Sequence, residues 1–296
     1  MSTEHAAEHA VAHAPNAGEY VAHHLTYLNT TGHKQTALVD WSVLNIDTLF
    51  FSIAMGVVGV GLLWLAARKA TSGVPGRFQG FVELLVEMVS DQAKGIIHSE
   101  TSRKFVSPLA LTVFIWVFFM NAMDFLPVDL LPRIWEGIYG SMGGDPHHAY
   151  LRVVPTADIN ATFGMSFTVL LICLYYNMKI KGVGGWIHEL FTAPFGSHPV
   201  LWPVNFCMQL IEFAAKTISH GMRLFGNMFA GELIFMLIAL MGAAWTGFNA
   251  PSILLFFGHF VAGLAWTLFH ILVVALQAFI FMMLTLVYVG QAHEGH

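Results

Sequence analysis

Five runs of apolar residues, each long enough to cross a bilayer, constrain this chain more than anything else in it. They extend from about Thr48 to Ala67, Ser107 to Leu126, Ala161 to Met178, Val204 to Ala244 and Pro251 to Val289. A helical span needs about 20 residues. In lipid no water serves the backbone, so each run must be helical. The last two runs exceed that length and must tilt or reach beyond the bilayer. Only 10% of the residues are charged and 56% are hydrophobic, which excludes a water-soluble fold. The expected fold is an all-α polytopic membrane protein with five transmembrane spans, the last two forming a long tilted helical hairpin.

Between the first two runs, FQGFVELLVEMVSDQAKGIIHS carries apolar residues at helical spacing with acids between them. This predicts a surface amphipathic helix. Glu83, Glu87 and Asp91 argue against a sixth span there. Residues 1–40 form a polar, His-rich tail, and 41–296 the membrane domain. His5, His9 and His13 would align on a helix, a pattern compatible with metal binding or with a plain polar tail. The tail lacks the basic and apolar regions of a cleaved signal peptide. Cys173 and Cys207 fall in apolar runs and read as small core residues. No basic run is present, so a nucleic-acid partner is not expected.

Basic residues orient the spans. Arg68, Lys69, Arg77, Lys94, Arg103, Lys104, Lys179 and Lys181 fall on one side, against Lys34, Arg133 and Arg152 on the other. The richer side is expected to be cytoplasmic, which puts the N-terminus outside and the C-terminus inside. Asn45, Asp47, Asn121, Asp124, Asp129, Arg152 and Asp158 then collect on the outer side. They could line an aqueous entrance for cations, or be ordinary caps and loop ion pairs. Asn121 and Asp124, inside an apolar run, favour function; Asp129 and Arg152 are as well explained by structural pairing.

The fourth run holds Arg223, a charge that burial cannot neutralise. An ionisable residue at membrane depth marks function. At about 100° per residue, Glu212, Lys216, Ser219, Arg223 and Asn227 share one face, whereas Glu232 points to the opposite one. On the fifth run His259, His270 and Gln277 also share a face. TGFNAP marks a turn near Asn249 or Ala250. Folding an antiparallel hairpin there brings Arg223 near Gln277 and Glu232 near His270. Histidine titrates near neutrality, so Glu232 and His270 form a candidate proton relay. His188 and His220 lack such support and read as structural or interfacial.

SHGMRLFGNMFAGELIF, from Ser219 to Phe235, resembles the signature of subunit a of F-type ATP synthases. FHILVVALQAFIFMMLTLVYV is similar to the last helix of that family. WSVLNIDTLFF, RKATSGVPGRFQ, PLALTVFIWVFFMNAMDFLPVDLLP and LRVVPTADINAT extend the resemblance over nearly all the chain after Leu38, with an order and spacing most like bacterial members. The resemblance implies a stator subunit without a catalytic site, beside a rotating c-subunit ring and the peripheral-stalk subunit b, in the bacterial inner membrane. It implies two offset half-channels carrying H⁺, with no cofactor. Arg223 would face the ring. Glu232, His270, Asn227, Gln277, Asn121, Asp124 and Asp47 would line or support the outer half-channel. Asp129, Arg152 and Asp158 match outer-loop elements, and Lys216 and Ser219 match positions near the inner exit. One departure stands out: the family's exit-side glutamate falls at Gln209, while this chain has Glu212 one turn along. A His–Glu pair favours H⁺ over Na⁺. A haem-binding or secondary-transport subunit is the competing class, but His259 and His270 share one helix, whereas bis-histidine ligation needs two.

Overall fold

The computed structural model describes residues 17–31, 42–144, 149–245 and 247–293. His5, His9 and His13, and the tail boundary near residue 40, lie outside them. Among the described residues eight α-helices form and no sheet: α1 (Ala17–His24), α2 (Ile46–Arg68), α3 (Arg77–Ile96), α4 (Glu100–Ala122), α5 (Leu130–Ser141), α6 (Ile159–Thr192), α7 (Trp202–Ala243) and α8 (Ala250–Gln291). Five of these are long and apolar enough to cross a membrane: α2, α4 with the 3₁₀ turn Met123–Phe125, α6, α7 with its preceding turn, and α8. The five expected spans are therefore present, each somewhat longer than its apolar run because helix continues into polar flanks.

The chain forms two compact units. The first is drawn from Met1–Asp47, Pro127–Val153 and Leu233–Trp266; the second from Thr48–Leu126, Val154–Glu232 and Thr267–His296. In the second unit, α2 closes on α4 through small residues. A methyl group added at Gly59 would come within 2.8 Å of Ile115, and one at Gly56 within 3.2 Å of Trp116. That approach lets Trp116 Nε1 donate to the Ser52 carbonyl at 2.7 Å. The amphipathic helix α3 divides its apolar residues. Val89 and Ala93, with Ile97 just beyond its end, pack with Val106, Tyr176 and Leu286 in a buried cluster, while Phe78, Phe81 and Leu84 are exposed.

α6 runs well past the expected end at Met178, because helix resumes after a break at Gly182. Gly182 has φ 73° and ψ 157°, a conformation open essentially to glycine alone. Lys181 and Glu189 bridge the break with an ion pair at 2.6 Å. The turn into α7 is tied by buried Asn205, whose amide donates to the carbonyls of Phe191 at 2.9 Å and Gly196 at 3.1 Å.

α7 and α8 pair about a turn near Ala250. In the first unit Gly242 lies against the His259 ring and Ile238 against Gly263, and the Phe235 and Trp266 rings meet edge to face. In the second unit Gly231 lies against His270. All these pairs share one register, the one the turn signal predicts.

Candidate functional site

Burial sorts α7 into the two faces that its periodicity predicts. Glu212, Ser219 and Asn227 are exposed and Arg223 is half-buried, whereas Leu224, Met228, Gly231 and Glu232 are buried. Among the described residues the Arg223 guanidinium takes no hydrogen bond, ion pair or ring contact. Glu232 is 7% exposed and belongs to the opposite face. Gln277 is buried on α8, on the side whose Val274, Ala278 and Phe281 cluster with Leu224 and Met228.

The buried side of α7 frames an acid–histidine pair. His270 Nε2 lies 2.7 Å from Asp124 Oδ2, and both residues are nearly sealed from solvent, at 0% and 6% exposed. The Phe125 ring stands edge-on to the imidazole, 5.5 Å away. Gly231 forms the wall: an added methyl would overlap His270 and sit 3.2 Å from Asp124 Oδ2. Asp124 is thus a carboxylate in contact with His270, and the hairpin brings Glu232 into the same neighbourhood through Gly231, the residue before it. Sequence placed Asp124 among polar lining only. Its register against the fifth span depends on how α4 packs, which no local pattern reports.

Two further polar groups lie in this unit. Asn121 is fully buried, and among the described residues neither of its amide atoms has a hydrogen-bond partner; the same holds for the buried Thr156 hydroxyl. Leaving such groups dry costs about 1–3 kcal/mol each, a penalty that water or a passing ion removes. Thr156 was not singled out from sequence; its only signal was its place between Pro155 and Asp158. His220 is buried too, with both ring nitrogens unpartnered among the described residues and its ring 3.9 Å from that of Phe281.

A second polar region is open. A cavity of about 240 Å³ is lined in part by Lys181, Glu189, Gln209, Glu212, Lys216 and Gln291. Lys216 pairs with Glu212 at 2.5 Å and donates to Gln291 at 2.7 Å. Gln209 and Glu212 share this cavity, so the carboxylate displaced by one turn still reaches the same space.

The remaining acidic residues act as fasteners. Asp47 accepts from the backbone amides of Leu28 at 2.9 Å and Arg152 at 3.0 Å. Arg152 donates to the Tyr27 hydroxyl and lies over that ring. Asp158 caps α6 through the Asn160 amide and accepts from the Thr48 hydroxyl at 2.9 Å. Asp129 takes Tyr20, His24 and Arg133. Burial first, and then the bond to Asp129, push the Tyr20 phenol well up, so it remains a donor. Among the described residues no group of three or more His, Cys, Asp or Glu is placed to hold a metal. His259 Nδ1 is engaged with the Ile238 carbonyl at 2.7 Å.

Comparison with known proteins agrees over nearly the full length. The ATP synthase A chain family matches residues 49–290. ATP synthase subunit a of Paracidovorax citrulli (strain AAC00-1) is 62% identical over 293 residues, covering 97% of this chain and 99% of that protein. ATP synthase subunit a of Acidovorax sp. (strain JS42) is 59% identical over 291 residues, covering 96% and 99%. That of Verminephrobacter eiseniae (strain EF01-2) is 56% identical over 293 residues, covering 97% and 99%.

Proposed function

The chain belongs to the ATP synthase A chain family, and from that premise we propose how its residues move protons as the membrane stator of an F-type ATP synthase. It is a multi-pass membrane component of the complex, not its catalytic part. The observation that carries the reading is Arg223: a permanent cation, half-buried on a membrane-spanning helix, with no anion paired to it among the described residues. Such a charge is costly unless another chain supplies the counter-ion. The carboxylates of a rotating c-ring answer that need. As each passes, the Arg223 guanidinium favours its ionised form, so the proton leaves to water of the open cavity, and the fixed charge blocks a direct leak.

Protons reach the ring through the buried pocket. Asp124 and His270 relay them, Glu232 hands them on across α7, and Asn121 and Thr156 hold water along the way. Gln277 and Asn227 add polar lining, while Asp47, Asp158, Asp129 and Arg152 fasten loops of the subunit. Release is through the open cavity past Ser219, Lys216, Glu212 and Gln209. The basic loops set the cavity side in the cytoplasm of a bacterial cell and the N-terminus outside. Subunit b holds the stator against rotation. A neutral–cationic histidine cycle suits H⁺, not Na⁺.

The test is ATP-driven proton pumping by inverted vesicles, with and without Na⁺. Pumping that is independent of Na⁺ in the wild type and absent in Arg223→Gln supports the reading. Coupled pumping by Arg223→Gln would end it.

A further inference from the structure

α7 carries two charged levels in the second unit, Arg223 within the span and Lys216 at the open cavity. They stand seven residues apart, about 10 Å along the axis. Between them the polar side chains of α7 are Thr217, Ser219 and His220. The Thr217 hydroxyl donates to the Phe213 carbonyl at 2.8 Å, and Ser219 is exposed. His220 alone of the three is buried, at 2% exposed. At about 100° per residue it points about 40° from Lys216 and about 60° from Arg223, and its ring packs on Phe281 and Tyr288 of α8, with centroids 3.9 Å and 5.6 Å away. Neither ring nitrogen has a hydrogen-bond partner among the described residues. Aromatic rings accept hydrogen bonds only weakly, so Phe281 and Tyr288 do not replace a partner. Leucine would fill so apolar a place without the penalty of two unmet polar atoms. Tyr288 also lines the open cavity, and the Lys216 ammonium lies 5.8 Å from its ring. It therefore adjoins both the histidine and the cavity.

Resting on the release path described above, we propose that His220 is a positioning residue of that path: its imidazole holds the water that joins Arg223 to the open cavity past Tyr288. A neutral imidazole has one N–H and one lone pair, so it donates to one water and accepts from another without changing its own charge. The proton that leaves a c-ring carboxylate beside Arg223 passes along this water and reaches the cavity at the level of Lys216. The histidine is neither its donor nor its final acceptor; it keeps the water in place where the helix pair is otherwise apolar. A water so held meets the unmatched ring nitrogens at the same time, which explains a buried imidazole at a position where an aliphatic side chain would pack.

The experiment is ATP-driven acidification of inverted vesicles holding the whole complex, normalised to membrane ATPase content, for the wild type, His220→Leu and His220→Gln. Leucine fills the site but binds no water, whereas glutamine keeps a donor and an acceptor. His220→Leu should assemble at least as well as the wild type, because it removes two unmet polar atoms, yet pump about tenfold more slowly. His220→Gln should stay within about threefold of the wild type. A side chain that only packs gives the reverse order, with leucine near the wild-type rate and glutamine below it. That order, an equal loss in both variants, or wild-type pumping by both overturns the inference. Should His220→Leu not assemble, His220→Met, also apolar and more adaptable, takes its place in the same comparison. Arg223→Gln, run alongside, keeps the two claims apart. Coupled pumping by that variant ends the stator reading itself, whereas its silence beside a fully active His220→Leu removes only the role of His220.

Discussion

Asp124 and His270 meet at 2.7 Å with side chains 5% and 1% exposed, whereas Lys216 and Glu212 meet at 2.5 Å with side chains 25% and 51% exposed. Both pairs belong to the same compact unit. The first is walled by Gly231, Phe125 and the core, so each polar atom has a fixed partner or pays for its absence. The second borders a cavity of about 240 Å³, where water can replace a lost partner. Identical chemistry, one acid and one base in contact, is therefore expected to matter very differently in the two places.

The largest effect should come from the residue that lies between them along α7. Arg223→Gln should lower coupled pumping at least about 100-fold, since no other cation of the chain can take its place. ATP-driven acidification of inverted vesicles, normalised to membrane ATPase content, measures it. Retained pumping would mean the two regions are not separated by this charge.

Breaking the buried pair comes next. Asp124→Asn and His270→Gln should each cost about 10- to 100-fold in pumping, because the surviving partner is left buried and unmatched. A double-mutant cycle should show coupling between them. Additive losses would mean that the 2.7 Å contact carries no protons.

A smaller effect tests the wall alone. Gly231→Ala places a methyl group against the His270 ring, and shifting that ring should cost about tenfold in pumping without changing any polar group. Unchanged pumping would show that the pocket yields, erasing its contrast with the open cavity. The smallest loss is expected from Glu189→Gln at the cavity rim, less than about threefold, because Lys181 lines the same open cavity, where water can replace the lost partner. A tenfold loss in the same vesicle assay would show that the cavity is as closely fitted as the buried pocket.

Much of this was legible in the chain itself. The spans followed from apolar length, and the faces of α7 followed from the angles between Arg223, Asn227 and Glu232. The hairpin register followed from the turn signal, because an antiparallel pair has one free parameter once its turn is placed. Other features were not legible. The third apolar run ends near Met178, yet Gly182 only kinks α6, and the ion pair Lys181–Glu189 spans the break. Asp129 could have paired with Arg152 as one acid with one base; in the fold it takes α1 instead, through Tyr20 and His24.

By itself, then, the sequence determined that the chain is helical and membrane-spanning, that Arg223 is out of place unless it functions, and which polar residues share a helix face. Those are consequences of composition and of periods shorter than one helix. Only the tertiary structure decided that His270 lies against Asp124, that Gly231 walls that contact, and that Gln209 and Glu212 open on one cavity. Contacts between helices distant in the chain depend on side-chain volume at the crossing, where a missing methyl group sets how near two backbones come. No periodic signal along one helix records that distance.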